Sequence, residues 1–334
     1  MIGVVLGAGR GERMYPLSAE RPKALLPTLD LPQLTWALAG LKAAGVRRAW
    51  VNARGADGEG VAREVGRAAA VLELDVQVSP EPEEPLGTAG ALGRLSAELD
   101  ETFLLVNADV ASSVPFGRLV EAHRAAGGPA TLVGIPTADR ADLVAEEGWV
   151  VELVDRSRRN GAGHVYAGIG VFEPSVLRYV PDGVSHLFDT VMGGLVRDAG
   201  AGGKGGLAVF EWTGYWRDLA DPAAYLRVNL EALSGVGPPG RPPALQGPPQ
   251  RCDALAYVGP GAEVEGVDLA CAVVGAGARI EPGTRLERCV VWDGARVDRG
   301  TFADAVLTPG AVVAVGGTGS GPVARNNWPS RRIR

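Results

Sequence analysis

The stretch Ile2-Gly3-Val4-Val5-Leu6-Gly7-Ala8-Gly9-Arg10-Gly11-Glu12-Arg13-Met14-Tyr15-Pro16-Leu17, continued by Arg21-Pro22-Lys23-Ala24-Leu25-Leu26-Pro27, decides how this chain is read. An apolar run of strand length breaks directly into a loop with glycines at 7, 9 and 11. Glycine lets the backbone come close to a polyphosphate and turn its N–H groups toward it. Arg13 and Lys23 add positive charge at two points of a loop stiffened by prolines 16, 22 and 27. A loop of roughly 25 residues is uncommon inside a domain unless it carries function. Two other glycine motifs do not fit. A dinucleotide fingerprint needs a third glycine where Glu12 stands, and a P-loop needs Gly-Lys-Ser/Thr where Lys23 lies between Pro22 and Ala24.

Working outward, Val/Leu-rich runs recur at 2–6, 48–52, 75–79, 103–107 and 130–135. Between them, 34–44, 60–70, 88–99 and 116–126 space their apolar residues as helices do. Such alternation predicts an α/β domain, Rossmann-like, with a mostly parallel mixed sheet. Sheets of this kind bind ligands at the carboxyl ends of their strands, so the loops after Leu6, Ser79 and Asn107 are where chemistry belongs.

The texture changes after residue 233. Residues 234–250, SGVGPPGRPPALQGPPQ, have the Pro/Gly content and lack of periodicity of a linker. Beyond it, turns such as Ala276-Gly277-Ala278, Pro282-Gly283-Thr284 and Asp293-Gly294-Ala295 recur. Aliphatics at Val258 and Val264, then Val274, Ile280 and Leu286, then Val291 and Val297 fall about every sixth position. That period predicts a short left-handed β-helix over 251–315, with a Gly-rich antiparallel sheet as the alternative. Residues 316–334 read as a polar, basic tail. The expected organisation is a catalytic domain 1–233, a linker 234–250, coils 251–315 and that tail.

Composition narrows the function classes. Net charge is −6 over 334 residues, which argues against gripping nucleic acid through an overall field. Cys252, Cys271 and Cys289 lie far apart, forming neither a disulfide framework nor a zinc site. No stretch approaches the ~20 apolar residues of a membrane span, so a soluble, cytoplasmic protein is expected. Histidines 123, 164 and 186 are scattered and none follows 186, which leaves the coils a structural or self-associating role.

Gly9, Gly11, Arg13, Pro16-Leu17-Ser18, Pro22-Lys23 and Pro27 together resemble the signature of the sugar-1-phosphate nucleotidyltransferases, the NDP-sugar pyrophosphorylases. The resemblance extends to Glu84-Pro85-Leu86-Gly87-Thr88-Ala89, to Asn107-Ala108-Asp109 and to Trp216-Arg217-Asp218-Leu219-Ala220-Asp221-Pro222, where relatives have Gly-Thr in place of Ala220-Asp221. It implies that Arg13 and Lys23 are catalytic and serve phosphates. It implies a nucleotide site from Leu6, Gly7, Ala8, Gly9, Gly11, Glu84, Gly87 and Thr88, and magnesium on Asp109 and Asp218. For the sugar phosphate it implies Asn107, Gly168 of the Ala167-Gly168-Ile169 strand, and Arg156, which stands where many relatives carry the Lys of Glu-Lys-Pro. A solvated polar turn over 155–163 is the other reading of that last segment.

The implied substrates are a nucleoside triphosphate and a sugar 1-phosphate. Likeness to mannose-1-phosphate guanylyltransferase-type proteins with C-terminal hexapeptide coils favours GTP and mannose 1-phosphate. A thymidylyl- or uridylyltransferase acting on glucose 1-phosphate or N-acetylmuramate 1-phosphate stays open, as does a catalytically silent homologue that binds NDP-sugar. A homo-oligomer through the coils is expected from the same resemblance.

Overall fold

The computed structural model describes residues 1–29, 31–154, 161–200, 202–237, 251–252 and 256–315. Its packing gathers the chain into two units, one of residues 1–10 with 33–218 and another of 11–32 with the chain from 219 onward. These do not coincide with the segments 1–233 and 251–315 marked off by composition. The signature itself is divided after Arg10.

In the first unit the opening run forms the strand Ile2–Leu6 at the heart of a nine-stranded sheet. It lies parallel between Arg48–Arg54 and Phe103–Asn107, and Asp75–Glu81 extends that side, also parallel. Register sets Leu6 opposite both Asn52 and Asn107, so Ile2–Leu6 and Phe103–Asn107 end level while Arg48–Arg54 runs two residues further. The expectation of a mostly parallel sheet holds for this half only. Gly163–Phe172 runs antiparallel to Phe103–Asn107 and to Ala130–Thr137, while Leu207–Glu211 lies parallel to the latter. The far edge is a hairpin of Leu143–Glu146 and Trp149–Leu153. Its two connecting residues, Glu147 and Gly148, both have positive φ (48° and 83°), as a two-residue hairpin turn requires. Local turn chemistry therefore reverses the chain where a crossover helix would have kept it parallel. Ile2, Val4, Leu105 and Leu132 are fully buried, and Phe103 stacks on Phe172 with centroids 5.5 Å apart.

In the second unit, 11–32 contains the short turns Glu12–Met14 and Lys23–Leu25, the one-turn helix Leu17–Glu20 and a small ladder of Pro27–Thr28 on Leu31–Pro32. Met14, Leu17 and Leu26 have no exposed surface. The helix Pro222–Leu233 starts on Asp221, whose carboxylate accepts from the Ala224 N–H at 2.8 Å. Asp at an N-cap does what the Thr of relatives would do, so Ala220-Asp221 preserves the helix start.

The C-terminal strands stack in parallel with partners 16 or 17 residues apart: Ala256 on Ala272, Val274 on Val291, Val291 on Leu307, and Ile280 on Val297. The hexad aliphatics Val258, Val274, Ile280, Leu286, Val291 and Val297 all enter one apolar core, with Val264 packed against it. Gly261, Gly277 and Gly294 take positive φ at successive corners. Short antiparallel strands cover the ladder at both ends, Arg251–Cys252 on Ala256–Val258 and Val312–Ala314 on Thr301–Leu307. They shield edges that would otherwise seek another strand. No described helix is long and apolar enough to cross a membrane.

Candidate functional site

The first unit brings the glycine loop and the 84–88 segment together through a buried polar relay. Asn52 lies near the carboxyl end of the strand Arg48–Arg54 and Glu81 ends its neighbour, each about 4% exposed. The Gly7 N–H donates to Asn52 Oδ1 at 2.6 Å, Asn52 Nδ2 donates to Glu81 Oε1 at 2.7 Å, and the Leu86 N–H donates to Glu81 Oε2 at 2.9 Å. Asn52 and Glu81 were not singled out in the sequence. The available signal was a polar residue closing an apolar run at a strand's carboxyl end. Leu6 accepts from the Ala108 N–H at 2.9 Å, and Ala8 is buried behind it. Gly7's amide is thus engaged by protein, whereas Gly9 is exposed and a Cβ there would meet nothing within 4 Å. Arg10 and Glu84, both exposed, form an ion pair across the two segments.

Gly87 has φ +76°, and a Cβ on it would lie 2.4 Å from the Ser185 carbonyl oxygen. Only glycine permits that approach. The helix Gly87–Arg94 that it opens is held by Ser185, whose carbonyl accepts from Ala89 and Gly90, while Thr88 Oγ1 accepts from the Leu187 N–H at 2.8 Å. Residues 185–187 therefore back the segment expected to receive the nucleotide, a contact across about a hundred positions that no local pattern announces.

The two carboxylate motifs meet. Val110–Ser112 pairs antiparallel with Trp216–Asp218, which sets Asp218 opposite Val110, next in chain to Asp109. Directly opposed residues in such a pair lie roughly 5 Å apart. Trp216 Nε1 donates to the Ala167 carbonyl at 2.9 Å, fastening this strand to Ala167-Gly168-Ile169. Gly168 has φ +75°, and a Cβ there would fall 2.8 Å from Asn107 Nδ2, so the Asn107 amide occupies the space a side chain would fill. Asn107, Asp109 and Asp218 are thus gathered near the buried Gly168, and all three are partly exposed. No group of three or more His, Cys, Asp or Glu suited to a metal occurs among the described residues. A carboxylate pair completed by phosphate oxygens is still the donor set a hard magnesium ion takes. Arg156 lies outside the described residues.

In the second unit, Gly11 (φ +63°) folds the loop back so that a Cβ on it would sit 3.5 Å from Lys23 Cβ. Lys23 is half-buried and Arg13 exposed. The neighbouring Glu20 and Arg21, to which the sequence assigns no role, are held on the C-terminal coils: Arg21 donates both terminal nitrogens to Asp293, at 2.8 and 3.1 Å.

Comparison with known proteins places the chain in a family. A nucleotidyl transferase family profile matches residues 2–235. The mannose-1-phosphate guanylyltransferase of Mycobacterium tuberculosis is 32% identical over 305 residues, covering 89% of this chain and 81% of that protein. Mannose-1-phosphate guanylyltransferase 1 of Arabidopsis thaliana is 28% identical, covering 90% and 83%. Among solved structures, one from Bacillus anthracis named as a glucose-1-phosphate thymidylyltransferase aligns with a TM-score of 0.61 at 19% identity, over 70% of this chain and 95% of that one, a likeness of fold.

Proposed function

The chain belongs to the nucleotidyl transferase family, and we propose that it joins GTP to mannose 1-phosphate, releasing pyrophosphate and GDP-mannose. The observation that carries the reading is the pairing of Trp216–Asp218 with Val110–Ser112, which sets Asp218 opposite Val110, next in chain to Asp109, and so draws together two carboxylates far apart in sequence. Relatives named as mannose-1-phosphate guanylyltransferases across nine-tenths of the chain favour the guanine nucleotide and the mannose substrate.

The reaction is an in-line displacement. An oxygen of the sugar 1-phosphate attacks the α-phosphorus of the triphosphate and pyrophosphate leaves. The attacking oxygen is already anionic, so the chain supplies alignment and positive charge rather than a general base. Asp109 and Asp218 would hold magnesium, which supplies charge neutralisation at the phosphates. Arg13 takes charge growing on the leaving pyrophosphate, and Lys23 holds the α-phosphate or the incoming one. Backbone at Gly9 and Gly11 faces phosphate oxygens, while Gly7 is spent on Asn52 and fixes the loop's root. Glu84, Gly87 and Thr88 frame the nucleotide, and Asn107 with Gly168 and Arg156 frames the sugar phosphate. The C-terminal coils are a short left-handed β-helix, and self-association through them in the cytoplasm completes the proposal, with light scattering as its measurement.

Initial rates of pyrophosphate release across four nucleoside triphosphates and several sugar 1-phosphates test the substrates. GTP with mannose 1-phosphate should exceed every other pair by tenfold or more. A maximum at TTP or UTP with glucose 1-phosphate would move the assignment, and no release with any pair would leave a silent NDP-sugar binder.

A further inference from the structure

The coils reach the signature loop through consecutive residues. Glu20 accepts from the Thr308 hydroxyl and from the Gly310 N–H, the latter at 3.2 Å. Arg21, next in chain, is bidentate to Asp293 and lies over the Trp292 ring with its guanidinium carbon 4.8 Å from the centroid. The two ladders are offset by 16 residues, so Trp292-Asp293 and Thr308-Pro309, with Gly310 one residue beyond, turn the chain on successive coils. Neighbouring strands lie about 4.8 Å apart and neighbouring Cα atoms about 3.8 Å, so two adjacent loop residues can engage two adjacent coils.

The same tryptophan governs the loop's far side. Trp292 is 1% exposed, and its Nε1 donates to the Tyr225 hydroxyl at 3.0 Å. Tyr225 in turn donates to the Pro27 carbonyl at 2.7 Å. Asn229 Nδ2 donates to that carbonyl at 3.3 Å, and Asn229 Oδ1 accepts from the Leu29 N–H at 3.0 Å. The span 20–29 is therefore pinned at both ends, and the turn Lys23–Leu25 lies between the pins.

We propose that the C-terminal coils are a positioning element for Lys23, acting through Arg21–Asp293, Glu20–Thr308 and Trp292–Tyr225–Pro27. Arg21, Trp292 and Asp293 are positioning residues, since they act on Lys23 through the loop and carry no reacting atom. The proposal rests on the reading of Lys23 as a phosphate-holding residue. A coil module that only bound another subunit would have no cause to clamp this loop twice.

The test uses the full chain and four variants: Arg21→Ala, Asp293→Ala, their combination, and Thr308→Val. Steady-state kinetics with GTP and mannose 1-phosphate are read beside hydrogen exchange of residues 11–32. Asp293→Ala should lower kcat on the order of tenfold with KM for both substrates nearly unchanged, and the double variant should be no worse than the poorer single one. Exchange across 17–29 should quicken in each variant while the coil strands keep their protection. Thr308→Val removes one hydroxyl and reports on the second clamp with little risk to the fold. Losses that multiply in the double variant, or unchanged exchange over 17–29 in both Asp293→Ala and Thr308→Val, would overturn the proposal. Should the wild-type chain release no pyrophosphate, the functional reading fails, and exchange alone still decides whether the coils brace the loop.

Discussion

The two parts of one signature are secured by different means. Residues 2–10 belong to a sheet whose buried relay of Asn52 and Glu81 fixes the Gly7 amide. Residues 11–32 are secured at the Pro27 end by buried Tyr225 and Asn229, and at the Glu20-Arg21 end by a clamp nearer the surface, where the side chains of Arg21 and Asp293 are 24% and 46% exposed. Burial decides what each arrangement can do. A polar group with almost no water contact loses heavily if its partner goes, so the relay is close to all-or-none. A half-exposed ion pair is partly replaced by water and contributes little to stability, yet it can still choose among loop positions. The first part is thus built to be invariant, and the Glu20-Arg21 end of the second to be adjustable.

The largest effects should come from the first unit. Asp109→Ala and Asp218→Ala are each expected to cost a factor of 10² to 10³ in magnesium-dependent turnover, about 3–4 kcal/mol, with an unchanged circular dichroism spectrum. A near-normal rate for either variant at saturating magnesium would remove that carboxylate from the metal site. Asn52→Ala comes next. It strips the Gly7 N–H of its acceptor and Glu81 of a donor in a buried setting, so denaturant unfolding should show a loss of about 2 kcal/mol, and equal stability would break the comparison on its rigid side.

In the second unit the effects should be smaller and should fall on rate. On the proposed phosphate roles of Lys23 and Arg13, Lys23→Ala and Arg13→Ala should slow turnover at least tenfold while leaving the preference among triphosphates as it was. A change of base preference at full rate would contradict their roles. Tyr225→Phe takes the donor from the Pro27 carbonyl, which Asn229 still serves, and the acceptor from Trp292 Nε1. Burial raises the Tyr225 phenol above its ordinary value, so it remains a donor across the working pH range. Its loss should cost about 1 kcal/mol in unfolding experiments.

Much of this was legible in the residues. The strand–helix alternation gave the first half of the sheet, and the six-residue period placed Val258 through Val297 in one core. The motifs named Asp109 and Asp218, whose meeting needed the pairing of two three-residue strands. Long-range partners were hidden. Glu81 and Asn52 matter because adjacent strands set them diagonally, Asn52 opposite Ser79 and Glu81 two residues on, and Ser185 backs Gly87 from about a hundred positions away. The division of the signature was equally invisible, because composition marks linkers while packing follows buried side chains such as Met14, Leu17 and Trp292.

The central claim is transfer of a nucleotidyl group to a sugar phosphate. Phosphorus NMR of the full chain with magnesium, GTP and mannose 1-phosphate tests it most directly. A diphosphate diester and free pyrophosphate should grow in equal amounts as the mannose 1-phosphate signal disappears, and excess pyrophosphate should reverse the change. Mannose 1-phosphate left intact while GTP persists or yields only orthophosphate would contradict it.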